Sequence, residues 1–95
     1  MTPTAFDTGV KLARQCRALG HPARLAIVRY LAGRRGRCTC GEIVEQLPLA
    51  QSTVSQHLKI LKDAGLIIGE DEPPRVRYGL NEQALDAVKR AIAAL

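Results

Sequence analysis

Residues 51–67 read QSTVSQHLKILKDAGLI, and this stretch decides the fold. Val54, Leu58 and Leu61 recur at the spacing of one helical face, which predicts a helix over residues 51–64 with a buried apolar stripe. Gly65 follows as the C-terminal stop. The residues that face away from the stripe can all form hydrogen bonds and none is acidic: Gln51, Ser52, Thr53, Ser55, Gln56, His57 and Lys59.

On the C-terminal side, two strand-like runs over residues 66–70 and 75–80 are separated by Asp-Glu-Pro-Pro, which predicts a β-hairpin. In the second run Val76, Tyr78 and Leu80 alternate with Arg75, Arg77 and Gly79, which predicts one wet, basic face. Asn81 can cap a last helix over residues 82–95. Its apolar side consists of Leu85, Val88, Ile92 and Leu95.

On the N-terminal side, Asp7 or Thr8 can cap a first helix that runs to about Leu19, where Gly20 stops it. Its helically spaced apolar residues are Phe6, Val10, Ala13 and Cys16. Pro22 begins a second helix over residues 22–32. Residues 38–40, Cys-Thr-Cys, are expected to be extended and to lead into a third helix over residues 41–47, which Pro48 ends.

The predicted order is helix, helix, short strand, helix, turn, helix, hairpin, helix. We therefore expect a mainly α fold with a small β-hairpin (α+β), a winged helix-turn-helix, as a single domain over residues 1–95. A chain of 95 residues has a modest core, so a second core made by dimerisation would add stability.

Composition points to duplex DNA as the partner. The net charge is +5 and the pI about 9.6, which suits a polyanion. With no Trp, one Phe and two Tyr, the chain lacks an aromatic platform for single-stranded bases. The second helix of a helix-turn-helix enters the major groove, so the polar residues listed above are the candidate DNA contacts, with Gln56 the best candidate for adenine.

The hairpin leaves two alternatives open. Arg75 and Arg77 would reach flanking phosphates or the minor groove, or they would pair with the adjacent carboxylates of Glu70, Asp71 and Glu72.

Other classes of function find little support. Paired carboxylates, a glycine-rich phosphate loop and a nucleophile next to a base are missing from the sequence, so we expect no enzyme. An apolar run long enough for a membrane span and a signal peptide are missing too, so we expect a cytoplasmic protein with no membrane partner. A winged helix used for protein interaction is a further alternative, against which the polar recognition face counts.

The chain resembles the ArsR/SmtB family of thiol- and metal-responsive repressors over about residues 16–81. The matching stretches are LGHPARLAIVRYL (19–31), CTCGEI (38–43), QSTVSQHLKILKDAGLI (51–67) and VRYGL (76–80). The resemblance implies a homodimer built from the first helix (about 7–19) and the last helix (82–95). It also implies binding to an imperfect palindromic operator, and repression until an inducer loosens the complex.

The three cysteines suggest what the inducer is. Cys38 and Cys40 would share one face of an extended segment and precede a helix N-terminus beside Arg34, Arg35 and Arg37, which favours thiolates for a soft ion such as As(III). The same C-x-C falls where arsenic- and cadmium-responsive members carry theirs, but Ile43 stands where arsenic-type members have a third cysteine. Cys16 would complete such a site or serve as a small core residue.

Three alternatives to a metalloid stay open. The cysteines could form a redox- or persulfide-responsive switch, in which Cys16 or an external thiol is a better partner than a strained disulfide between Cys38 and Cys40. They could be structural, or the regulator could respond to no ligand. DNA binding itself requires no cofactor under any of these hypotheses. The last helix carries no histidine, so we do not predict the zinc site that other family members place there.

Overall fold

The computed structural model describes residues 4–34 and 36–95. Its helices are α1 (Ala5–Leu19), α2 (Pro22–Ala32), α3 (Cys40–Val44), α4 (Gln51–Asp63) and α5 (Glu82–Ala93). Its strands are β1 (Cys38–Thr39), β2 (Ile67–Glu72) and β3 (Arg75–Leu80). This order is that of a winged helix-turn-helix and confirms the predicted fold class. The longest of the described helices has 15 residues, so none is long and apolar enough to cross a membrane.

Helix α4 lies where its sequence pattern predicts. Val54, Leu58 and Leu61 are at most 1% exposed, which confirms the buried stripe. The helix is followed by Gly65, whose φ of +76° lies in the left-handed region that favours glycine. The Gly65 amide donates to the carbonyl of Lys62 at 2.9 Å. This turn sends the chain directly into β2.

The three strands form one antiparallel sheet in the order β1-β3-β2. Cys38 lies opposite Tyr78 on the β1 side of β3. On the other side, the hairpin register runs from Ile67 opposite Leu80 to Glu72 opposite Arg75. The first hairpin strand is therefore shifted relative to the predicted range 66–70, and the turn contains only the two prolines. An opposite-charge pair at the end of the ladder favours this extension.

One apolar core joins helices and sheet. Ala18 of α1 and Val88 of α5 belong to the same buried cluster as the stripe of α4. Ile43 of α3 and Cys38 of β1 are fully buried in it. The remaining members are Ile27, Val28 and Leu31 of α2, with Leu66 and Ile67 at the start of β2. The helix-turn-helix and the hairpin therefore share one hydrophobic core.

The predicted start of the first helix was wrong. Thr4 is the N-cap, and its hydroxyl accepts from the amide of Asp7 at 3.1 Å while the Asp7 carboxylate accepts from the Thr4 amide at 3.2 Å. This capping box satisfies two helix-end amides, so Asp7 and Thr8 lie inside the helix.

The same motif corrects the third helix. Thr39 is its N-cap and forms a reciprocal capping box with Glu42, so the helix begins at Cys40. The last residue of the predicted extended segment is therefore helical. The helix also ends at Val44, three residues before the predicted Leu47, and turns connect it to α4.

Helix α1 buries a different face from the one its apolar residues suggested. Gln15 and Ala18 are its buried residues, whereas Phe6 is 78% and Val10 54% exposed. Cys16 is half-buried and lies outside the core, so its interpretation as a small core residue was wrong. Helix α1 packs against α5, on which Ile92 is exposed, and Leu95 after its end is exposed as well. Both terminal helices therefore carry exposed apolar side chains.

Candidate nucleic-acid interface

The second helix of the helix-turn-helix, α4, presents a polar stripe to solvent. Ser52, Ser55, Gln56 and Lys59 are all exposed, and their spacing of three and four residues places them on one face opposite Val54, Leu58 and Leu61. Gln51 is exposed at the start of the helix. Thr53 and His57 are half-buried at the sides. Five of the seven predicted contacts on this helix thus share one accessible surface.

The N-terminus of α4 adds hydrogen-bond donors to this surface. Ala50 is the N-cap residue and supplies no side-chain acceptor, and the first amide bonded to its carbonyl is that of Val54. The amides of the first turn therefore point outward beside the positive end of the helix dipole. Such an arrangement suits a phosphate oxygen.

Lys59 carries the positive charge of the stripe. Its Nζ lies 2.9 Å from a carboxylate oxygen of Asp63, four residues later, and its side chain is 76% exposed. An exposed pair of this type contributes little stability, so Lys59 can exchange Asp63 for a phosphate at low cost.

His57, on one side of α4, faces helix α2. Its Nδ1 accepts a hydrogen bond from Arg24 Nε at 3.2 Å, and its ring lies 4.5 Å from that of His21. Burial lowers the pKa of His57 below its usual value of 6.5, and the nearby His21 and Arg24 lower it further. The neutral ring is therefore favoured, with its Nδ1 engaged inside the protein.

Arg24 is a residue of this region that sequence reasoning missed. Besides His57, its guanidinium contacts the carbonyls of Arg17 and Ala18 at the end of α1, at 3.3 Å each. A second arginine, Arg14, donates to the carbonyl of Asp63 at the end of α4 at 3.0 Å. Arg24 and His57 are 33 residues apart, and no local pattern links positions at that separation.

The two arginines of the hairpin have different surroundings. Arg75 is exposed at the start of β3. Arg77 is half-buried, with Nε 2.9 Å from Glu72, Nη1 4.0 Å from Glu42 and a hydrogen bond to the carbonyl of Arg37. On the basic strand face that the alternation predicted, Arg75 is therefore exposed to solvent, whereas Arg77 is bound by carboxylates of the protein.

Arg37 covers the rest of that face. Its Nε lies 2.7 Å from a carboxylate oxygen of Glu70. A Cβ added at Gly79 would lie 2.6 Å from Arg37 Nη1, so a larger residue there would displace the end of the Arg37 side chain. Of the pairing that the sequence left open for Arg75 and Arg77, the structure shows that of Arg77 with Glu72, whereas Glu70 pairs with Arg37.

Glu42 joins the first helix of the motif to the hairpin. Hydrogen bonds from the backbone and hydroxyl of Thr39 lower the pKa of Glu42, and Arg77 and Arg34 add to the effect. Arg34 lies 3.8 Å from the same carboxylate. The sequence signal for this residue was the Thr-x-x-Glu spacing of a capping box, which sequence reasoning did not use.

The cysteines have unequal exposure. Cys38 is fully buried, whereas Cys40 is half-buried with its Sγ 3.5 Å from the hydroxyl of Ser55 on α4. Cys16 lies on α1. Among residues 4–34 and 36–95, no group of three or more His, Cys, Asp or Glu side chains could hold a metal ion. Arg35, which was expected to favour the thiolates, lies outside the described residues.

The sequence and structure of known proteins identify the family. A helix-turn-helix domain model matches residues 19–70, more than half of the chain. The HTH-type transcriptional regulator YgaV of Escherichia coli is 35% identical over 72 residues, which cover 76% of this chain and 72% of that protein. The HTH-type transcriptional repressor SmtB of Mycobacterium tuberculosis is 44% identical over 80 residues. The chain belongs to the ArsR/SmtB family of winged helix-turn-helix regulators.

Solved structures agree with this ArsR/SmtB assignment at the level of the fold. An ArsR-like transcriptional regulator from Rhodococcus sp. RHA1 superposes with a TM-score of 0.79 at 23% identity, covering 92% of this chain and 80% of that one. The alignment with SmtB covers 79% of this chain but only 58% of SmtB. These relatives are named as transcriptional regulators and not as enzymes. This is the class of protein that the sequence predicted.

Proposed function

We propose that this ArsR/SmtB-family chain is a transcriptional repressor that binds duplex DNA and acts in the cytoplasm. The observation that carries the proposal is the exposed stripe of Ser52, Ser55, Gln56 and Lys59 on the second helix of the motif. Gln56 would read a base edge through its amide, and Lys59 would neutralise a phosphate. The name of the M. tuberculosis relative, a transcriptional repressor, supports the direction of regulation.

The repressor would act as a homodimer on an imperfect palindrome. A second copy would cover the exposed apolar residues of the terminal helices, which are Phe6, Val10, Ile92 and Leu95. A twofold dimer would place two copies of α4 about 34 Å apart, one turn of DNA. The operator half-sites would then face successive major grooves.

A soft metalloid is the first inducer to consider, but the described residues do not assemble a complete site for it. Cys38 is fully buried in the core, and the segment that was expected to present both thiols on one face is interrupted by the start of α3 at Cys40. No third ligand joins them among residues 4–34 and 36–95. The described residues therefore do not fit a complete site for As(III) or another thiophilic ion.

Modification of a thiol is the second candidate, and one contact favours it. Cys40 is partly accessible, and its Sγ lies 3.5 Å from Ser55, a member of the exposed stripe. A group added to this sulfur would occupy the space of the Ser55 hydroxyl and disturb the surface that contacts DNA. Persulfides or mild oxidants of the cell would be the inducers in this case.

The proposal is tested with a fluorescent duplex that the reduced protein enriches from a randomised library. Anisotropy measured at increasing salt should show affinity that falls steeply, because several phosphate contacts release counterions. A protein-interaction module of the same fold would enrich no duplex or would bind without strong salt dependence. Either result would overturn the proposed function.

The inducer is tested on the same complex. Arsenite and a persulfide donor are added separately to the wild type and to Cys38→Ser and Cys40→Ser variants. Coupling of a typical size predicts roughly 5- to 150-fold weaker binding with the true inducer. A persulfide effect that needs Cys40 but not Cys38 supports thiol modification, whereas an arsenite effect that needs both cysteines supports the metalloid. Indifference to both reagents leaves a repressor without a thiophilic inducer.

A further inference from the structure

We propose that Arg24 positions the recognition helix by donating a hydrogen bond to His57, and that protonation of His57 releases the helix and weakens DNA binding. This inference rests on the proposed function, because it assigns a regulatory role to two residues behind the DNA-contacting stripe of α4.

Arg24 connects three helices through one guanidinium. It belongs to α2, its Nη1 donates to the carbonyls of Arg17 and Ala18 at the end of α1, and its Nε donates to Nδ1 of His57 in the middle of α4. The two bonds to α1 hold the guanidinium in place, since helix ends carry carbonyls that lack partners within the helix. The bond to His57 then fixes the rotation of α4 relative to α1 and α2.

The direction of this bond sets the protonation state of His57. Arginine only donates, so Nδ1 must be the unprotonated nitrogen and the ring must carry its hydrogen on Nε2. A protonated His57 would point an N–H at the N–H of Arg24. Acid therefore breaks the bond and places two cations in contact.

Among the residues that the structure describes, the neighbours of His57 include no carboxylate that would stabilise a cation. His21 lies 4.5 Å away, ring to ring, and its own Nδ1 accepts from the Ala23 amide at the start of α2. The guanidinium of Arg24 is a positive charge that also acts on His57. None of the ion pairs among residues 4–34 and 36–95 involves a histidine, so neither imidazole has a carboxylate partner there. The burial and the two neighbours lower the pKa of His57, in agreement with this geometry.

The sign of the effect distinguishes this role from a DNA contact. A histidine that touched phosphate would gain a charge in acid and would strengthen binding as the pH falls. A histidine that positions the helix through an unprotonated Nδ1 would weaken binding as the pH falls. The two roles of His57 therefore predict pH profiles with opposite slopes.

The experiment measures Kd for the enriched duplex from about pH 8 to about pH 5 at constant ionic strength, across the range in which histidine titrates. We expect the wild type to lose roughly 3- to 10-fold in affinity, the scale of one hydrogen bond. His57→Asn keeps an acceptor near the position of Nδ1 without titrating, so its affinity should be nearly independent of pH. His21→Asn keeps an N-cap acceptor and should keep the loss of affinity in acid, with its midpoint at a higher pH because His21 no longer lowers the pKa of His57.

Arg24 is tested with Arg24→Met, and Arg29→Met on the exposed side of the same helix is the matched control. Arg24→Met should weaken binding at about pH 8 and flatten the pH profile, while Arg29→Met should leave the slope unchanged. Imidazole resonances in NMR give a readout without DNA, since Arg24→Met should raise the pKa of His57. Circular dichroism checks that each variant is folded.

The outcomes separate the inference from the proposed function. If no duplex is enriched, the proposed function fails, and the NMR titration still decides whether Arg24 holds His57 neutral. If DNA binding strengthens in acid, or if Arg24→Met leaves both the pH slope and the His57 pKa as in the wild type, the positioning role is overturned although the repressor stands.

Discussion

Arg77 on β3 and Glu72 on β2 form an ion pair of 2.9 Å across the hairpin. The same arginine approaches Glu42 of α3 at 4.0 Å, so its charge is shared between two carboxylates of the protein. Arg75, two residues earlier, is exposed and lies beside the hairpin turn. Two arginines on one strand face therefore have different roles: Arg77 joins the hairpin to the helix-turn-helix, and Arg75 is available to DNA.

This difference predicts unequal salt effects. Arg75→Ala should weaken DNA binding and reduce the slope of log K against log salt by about one, because one phosphate contact is lost. Arg77→Ala should leave that slope nearly unchanged and lower the free energy of unfolding by up to about 1 kcal/mol, the usual scale for partly exposed ion pairs. Anisotropy at several salt concentrations and urea unfolding measure the two quantities. Equal loss of slope in both variants would contradict the assignment.

The recognition stripe predicts a second contrast. Gln56→Ala should cost about 1 to 3 kcal/mol of discrimination against the wrong base at one operator position. Lys59→Met should weaken binding to all sequences alike, since a phosphate contact carries no sequence information. Competition between the enriched duplex and single-base variants measures both effects. A uniform loss for Gln56→Ala would place that side chain on the backbone instead.

The apolar surface of the terminal helices predicts the oligomeric state. Val10→Asp would place a charge in the surface that a second copy covers, so sedimentation should show a monomer that binds one half-site weakly. Leu25→Asp on α2 is the matched control, because Leu25 is 39% exposed and lies on another helix. Loss of the dimer in the control as well, or in neither variant, would argue against this interface.

Burial predicts the order in which the cysteines react. Cys40 should be alkylated rapidly in the native protein, whereas Cys38 should react only when the core opens, because it is fully buried. Mass spectrometry of peptides after timed iodoacetamide treatment measures both rates. Modification of Cys38 at the rate of Cys40 would show that the core is open at β1.

The capping box of α3 predicts a pH effect on stability. The pKa of Glu42 is lowered in the folded chain, so its contribution is present above the unfolded value of 4.5 and is lost as the pH falls through the folded value. Thr39→Ala removes the hydroxyl that donates to Glu42 and caps the helix, which should cost about 1 kcal/mol. The variant should also lose less stability between neutral pH and acid than the wild type, as urea unfolding at several pH values would show. An unchanged pH dependence would mean that the backbone amide of Thr39, and not its hydroxyl, lowers the Glu42 pKa.

The sequence by itself determined the elements and their order. The apolar spacing of Val54, Leu58 and Leu61 defined α4, and the position of Gly65 its end, because helix periodicity and glycine conformation act over a few residues. The alternation of residues 75–80 defined β3 without error. The exposed polar stripe of α4 followed from the same periodicity, since burying one face leaves the other in water.

Tertiary structure alone decided which side chains are exposed and which are buried or bound to other residues. Cys38 is buried because β1 pairs with β3, forty residues later, and Arg77 is partnered because α3 brings Glu42 beside the hairpin. Arg24 reaches His57 only after α2 packs against α4. Contacts between distant residues depend on how the elements pack, and the local spacing of residue types carries no information about them. The exposed polar stripe of α4 could therefore be predicted from the sequence, whereas the contacts that hold α4 in place could not.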